Sequence, residues 1–152
     1  MKYRKDLLQQ IRVVVDGSES RYDKLKAVCA LLKEVVPHYD WVGFYLVDDE
    51  DENMLVLDAF EGDPTEHVRI PFGSGICGQA ADRKETFIVQ DVSEESNYLS
   101  CSIDVKSEIV VPITKGDAII GELDIDSHEE SPFTADDEEL LAEVCRIVAE
   151  LF

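Results

Sequence analysis

Two thiols and three carboxyl groups are the residues of this chain best suited to chemistry. Cys101 lies in the polar stretch Ser96-Asn97-Tyr98-Leu99-Ser100-Cys101-Ser102, outside any apolar period. A thiol on such a loop can reach a ligand or a second thiol; the plainer reading is a chance surface cysteine. Cys77 sits in Gly73-Ser74-Gly75-Ile76-Cys77-Gly78, where glycines permit a tight turn into a helix. A helix N-terminus suits an anion and lowers a thiol pKa. Cys77 is therefore expected to be more acidic than an ordinary thiol, unless it is only a small residue packed under the turn. Glu108 opens the apolar run that ends at Pro112, and Asp124 and Asp126 stand two residues apart. In a strand that spacing puts both on one face. With Leu123 and Ile125 turned to the core, the acids are expected to line a pocket mouth. Crowded carboxyl groups raise one another's pKa, so one can stay protonated near neutral pH and give a proton to a substrate oxygen. The competing reading is a solvated edge in a very acidic protein.

The elements that must position these groups follow from apolar periodicity. Leu7, Leu8, Ile11, Val14 and Val15 make a helical stripe over residues 4–15. Ser20 and Asp23 form a capping pattern for a second helix, whose face is Leu25, Val28, Cys29, Leu32, Val35 and Val36 and which Pro37 ends. Strand patterns cover 41–47 and 54–60, read as a hairpin, then a short extended piece at 67–71. A short helix over 76–83, a strand at 86–89 and a polar loop over 91–106 come next. Strands at 108–114 and 118–126 pair, and a last helix runs from 134 to 152 with Leu140, Leu141, Val144, Cys145, Ile147, Val148 and Leu151 as its stripe. Cys29 and Cys145 fall on these stripes and are expected in the core. Hairpins dominate, so the fold class is α+β, with a mainly antiparallel sheet and the terminal helices on one face. One domain fills residues 1–152: N-terminal helices at 1–36, sheet and pocket at 41–130, and the C-terminal helix at 134–152.

Several classes are excluded. The glycines at 73–78 match G-x-G-x-x-G, but helices and a hairpin come first and too little chain remains for a dinucleotide fold. His67, Cys77 and Cys101 fit no familiar zinc spacing, so neither metal nor cofactor is expected. The formal net charge of -20, from 34 acidic and 14 basic residues, repels phosphate backbones and anionic membranes. No apolar stretch is long enough to span a membrane and the start is not a signal peptide, so a cytoplasmic protein is expected. Four cysteines without a C-x-x-C pair point to free thiols or redox chemistry.

Together, Trp41-Val42-Gly43-Phe44-Tyr45, the segment 69–78, Cys101, the segment 107–112 and Gly121-Glu122-Leu123-Asp124-Ile125-Asp126-Ser127 resemble the free methionine-(R)-sulfoxide reductases, which are stand-alone GAF domains. The resemblance spans residues 41–137 and implies a reaction. Cys101 would attack the sulfoxide sulfur, a sulfenic acid would form as methionine leaves, and a second cysteine would close a disulfide that thioredoxin reduces. Glu108, Asp124 and Asp126 match acids that hold the substrate ammonium and protonate the sulfoxide. Trp41 and Tyr45 match aromatic residues near its methyl group. Many members carry a cysteine just before Arg69-Ile70-Pro71-Phe72, where this chain has His67; the resolving thiol is then Cys77 or an external one. The family's His-Ile-Ala-Cys-Asp reads Tyr98-Leu99-Ser100-Cys101-Ser102 here, and its Gly-Pro-Phe-Gln-Gly reads Asp58-Ala59-Phe60-Glu61-Gly62. GAF domains often dimerise through their terminal helices, which implies a homodimer. The alternative function is a GAF small-molecule-binding or redox sensor module without turnover.

Overall fold

The computed structural model describes residues 1–99 and 103–152. Two helices, α1 (Arg4–Val15) and α2 (Arg21–Val35), come first. The Ser20 side chain accepts the Asp23 N–H at 3.1 Å and so caps α2, as its sequence predicts. Six strands follow: β1 (Trp41–Val47), β2 (Met54–Glu61), β3 (Arg69–Pro71), β4 (Phe87–Val89), β5 (Ser107–Lys115) and β6 (Ala118–Ser127). Helix α3 (Gly75–Arg83) lies between β3 and β4, and α4 (Ala135–Val148) closes the chain. The last helix is shorter than its stripe suggests. It ends at Val148, and a 3-10 turn over Ala149–Leu151 replaces its final turn.

The strands form one sheet in the order β3-β2-β1-β6-β5-β4, and every neighbouring pair is antiparallel. Alternation along each strand then builds two cores. Val42, Phe44, Ile109, Val111, Leu123 and Ile125 face α1, α2 and α4 in the larger one. Trp41, Tyr45, Val110, Ile76 and Cys77 belong to a smaller core between the opposite face and α3. The terminal helices therefore cover one face, as expected, while α3 with Tyr98 and Leu99 packs on the other. Cys29 and Cys145 are buried in the larger core, where burial pushes both thiols far up. Among the described residues no helix is long and apolar enough to cross a membrane.

Asp137 ties α4 to the chain that enters β1. Its carboxylate accepts from the Tyr39 hydroxyl at 2.6 Å, from His38 Nε2 at 2.8 Å and from the Thr134 N–H at 2.9 Å. Burial alone would raise its pKa, but these partners outweigh it and hold the carboxyl below the usual range.

Candidate functional site

The site is assembled by register. In β6 the side chains of Glu122, Asp124 and Asp126 all project to the α3 side, because each is two residues from the next. Across from them, Trp41 pairs with Asp126, Gly43 with Asp124 and Tyr45 with Glu122. On the other flank Glu108 pairs with Asp126 and Val110 with Asp124. Three adjacent strands thus put four acids and two aromatic rings on one patch of sheet. Helix α3 lays Cys77 over this patch, with its Sγ donating to Glu108 Oε2 at 3.7 Å.

The acids are far more deeply placed than their sequence suggests. Glu108 is 5% exposed, Asp124 and Asp126 1% each, and Glu122 0%, so they form a floor and not a pocket mouth. Helix α3 and the segment before residue 100 cover that face, which the strand pattern alone does not reveal. Burial, followed by the Asp124 charge, pushes Glu122 and Asp126 well above the carboxylate range. Burial raises Asp124 as well, with hydrogen bonding toward Glu108 and Cys77 offsetting part of it. Both oxygens of Glu122, both of Asp126 and Oδ1 of Asp124 are buried without a partner in good hydrogen-bond geometry. Glu108 and Cys77 are close enough to ease these charges but do not satisfy those atoms.

The expectation of an acidic Cys77 is overturned. Burial first, then the charges of Asp124, Glu122, Glu108 and Asp126, push its thiol well above its ordinary range. A helix N-terminus offers a partial positive charge, and four carboxyl groups in a dry environment outweigh it. Cys77 nonetheless lies among the carboxyl groups of the site, against Glu108.

A small cavity of about 10 Å³, close to the room one water needs, lies here, lined by Tyr45, His67, Ile70, Ser74, Gly75, Ile76, Cys77, Leu99, Glu108 and Asp124. Trp41 and Asp126 stand on the same face without lining it. Trp41 lies flat over Gly43, where an added Cβ would meet its ring at 2.3 Å. It stacks on Phe60 at 5.6 Å and 18°, and its Nε1 donates to the Asp63 carbonyl at 2.9 Å. The Tyr45 hydroxyl donates to the His67 carbonyl at 2.8 Å. Leu99 packs over Gly75, which adopts φ +64°, and a Cβ there would meet Leu99 at 2.8 Å. Asn97 anchors this cover: its Oδ1 accepts the Gly75 N–H at 2.9 Å and its Nδ2 donates to the Gly73 carbonyl at 2.9 Å. Cys101 lies outside the described residues, two positions beyond Leu99. A wider hollow of about 390 Å³ opens against Arg21, Asp48, Asp58 and Phe152, but no comparable set of buried polar groups among the described residues converges on it.

Of the residues singled out in the sequence, Cys77, Glu108, Asp124 and Tyr45 meet at the cavity, and Trp41 and Asp126 flank it. Glu122 is a site residue that the sequence reading missed. The signal was present, since Glu122-Leu123-Asp124-Ile125-Asp126 alternates acid and apolar residue without a break.

A profile of the GAF domain family matches residues 18–152. GAF domain-containing protein A of Dictyostelium discoideum is 41% identical over 143 residues, which are 94% of this chain and 88% of that protein. The free methionine-R-sulfoxide reductase of Escherichia coli is 36% identical over 148 residues, which are 95% of this chain and 87% of that enzyme. The free methionine-R-sulfoxide reductase of Neisseria meningitidis, solved with its substrate, superposes with a TM-score of 0.91 at 38% identity. That match covers 98% of this chain and 87% of the other.

Proposed function

Because this chain belongs to the GAF domain family, with free methionine-R-sulfoxide reductases among its relatives, we propose that it reduces free methionine-(R)-sulfoxide to methionine. The observation that carries the reading is the buried floor of Glu108, Asp124 and Asp126 under a thiol and beside two aromatic rings. A buried carboxylate set calls for a cation, and the ammonium group of a free amino acid supplies one. A residue inside a protein chain has no such group, so the floor selects the free amino acid. Tyr45, with Trp41 behind it, gives the thioether end an apolar wall. A carboxyl group held protonated by burial can hand its proton to the sulfoxide oxygen as that oxygen leaves sulfur.

Cys101 is the nucleophile in this scheme. Its thiol and the sulfoxide yield methionine and a sulfenic acid on Cys101, so the sulfur of the substrate gains two electrons and that of the cysteine loses two. Cys77 then attacks the sulfenic sulfur, a disulfide forms and water leaves; an external dithiol such as thioredoxin restores both thiols. Glu108 Oε2, the acceptor of the Cys77 S–H, is placed to take that proton. The raised pKa of Cys77 makes that proton acceptor necessary for this second step near neutral pH.

The test is a single turnover. Reduced protein mixed with excess free methionine-(R)-sulfoxide, with no reductant, should release one methionine per chain and lose two titratable thiols. In Cys77→Ser a dimedone-reactive sulfenic acid should persist on Cys101. Failure to form methionine in folded, reduced protein would remove the reductase reading and leave a binding-only GAF module.

A further inference from the structure

The floor of the site also has the geometry of a metal centre. Sγ of Cys77 and one carboxylate oxygen each from Glu108 and Asp124 lie within 4.8 Å of one another. The Cys77–Glu108 pair is separated by 3.7 Å. A tetrahedral zinc ion, with bonds of about 2.3 Å to sulfur and about 2.0–2.2 Å to oxygen, holds neighbouring S and O ligands about 3.5 Å apart. All three residues are at most 5% exposed. A second observation points the same way: Asp124 Oδ1 and both carboxylate oxygens of Glu122 and Asp126 are buried without a partner in good hydrogen-bond geometry. Among the described residues no lysine, arginine or histidine forms an ion pair with Glu122, Asp124 or Asp126. Buried anions in that condition require protons or a cation.

We propose that Cys77, Glu108 and Asp124 bind a thiophilic divalent cation of the zinc class, with Glu122 and Asp126 supplying further negative charge around it. The sulfur ligand and the three-residue set favour zinc or cadmium over magnesium, which takes six oxygens in near-ideal octahedral order. Binding exchanges the Cys77 thiol proton for the metal and releases that proton to solvent. The bound ion would occupy the place offered to a substrate ammonium and hold Cys77 out of disulfide exchange, so metal and turnover exclude each other. The site itself does not rest on the proposed reaction, because it needs only these side chains.

Cadmium is the probe, since a thiolate–cadmium bond absorbs in the near ultraviolet. Titration of the reduced full chain should give that band with one cadmium ion per chain, reversed by zinc and not by magnesium. Cys77→Ser should abolish the band. Asp124→Asn and Glu108→Gln should each weaken binding at least tenfold while melting as folded proteins. A crystal soaked in cadmium should show its anomalous peak among Cys77, Glu108 and Asp124, which decides the matter even if a variant fails to fold. A band that survives Cys77→Ser, or an anomalous signal only at surface carboxylates or another thiol, would overturn the proposal.

Discussion

Glu122 shows how one residue can carry a cost that its neighbours do not relieve. It is completely buried, its oxygens lack partners, and burial raises its pKa well above the ordinary value. An acid whose folded pKa is raised contributes its full stability below its unfolded value and loses it as pH rises toward the folded value. Replacing it by an apolar side chain of similar length removes that loss and leaves no unsatisfied atom. Glu122→Met should therefore stabilise the metal-free protein by on the order of 1–2 kcal/mol at mildly alkaline pH. The gain should vanish below about pH 4, where the carboxyl is protonated in both states. Chemical denaturation at the two pH values measures it, and equal stability of the two proteins at alkaline pH would refute it. The acids at 108, 124 and 126 could be found from the sequence because period-2 spacing marks a shared face. Their depth, and the resulting basic shift of Cys77, could not, because both depend on α3 folding across a sheet whose strand order is non-local.

At the scale of elements, two polar anchors hold the architecture around the site. Asn97 makes two side-chain hydrogen bonds to the Gly73–Gly75 turn, and Gln79 Nε2 reinforces them through the Gly75 and Asn97 carbonyls at 2.9 and 3.2 Å. Each such bond contributes about 1 kcal/mol. Asn97→Ala should cost about 1–2 kcal/mol, speed hydrogen exchange at the Gly75 amide and raise KM for the substrate. An unchanged exchange rate at Gly75 would show that the cover is held by Leu99 packing alone. The second anchor is Asp137, which caps α4 and accepts from His38 and Tyr39. Asp137→Ala should cost about 2–4 kcal/mol, because it strips a cap and orphans a buried tyrosine hydroxyl. The pH dependence has two sides. The hydrogen bond to Asp137 raises the His38 pKa against a smaller effect of burial, so the stability from His38 is present below the usual imidazole range and is lost as pH rises through its raised value. Asp137 is depressed, so its contribution is present above the usual carboxylate range and is lost as pH falls through its lowered value. Melting curves of wild type and Asp137→Ala should differ most between those limits; the gap narrows on both sides, and above the His38 range it keeps the part due to the cap and the Tyr39 hydrogen bond. The helix and strand limits were readable from apolar stripes to within a residue or two. The end of α4 was not, since the stripe continues through Leu151 while the backbone tightens at Ala149.

At the scale of the whole molecule, charge is the dominant feature. A formal net charge of -20 on 152 residues opposes compaction through self-repulsion. Raising monovalent salt from about 0.01 M to about 1 M shortens the Debye length from about 30 Å to about 3 Å. The melting temperature should rise by several degrees over that range, and a flat response would mean that the screening of attractive pairs such as Arg12–Glu150 and Arg69–Asp48 offsets the relief of repulsion. The single α+β domain and its two-sided sheet were legible from the order of patterns along the chain. The pairing β1–β6 was not, although it joins the aromatic rings of one end to the acids of the other and so creates the site.

The measurement that bears most directly on function is turnover of free methionine-(R)-sulfoxide with a thioredoxin reducing system, by wild type and by Cys101→Ser. The free S epimer and a peptide-bound sulfoxide serve as controls. The buried carboxylate floor and the assignment of Cys101 predict turnover of the free R epimer only, lost in Cys101→Ser. Turnover that survives Cys101→Ser, equal use of the peptide-bound sulfoxide, or no turnover by well-folded protein with either thioredoxin or a small dithiol would contradict the account.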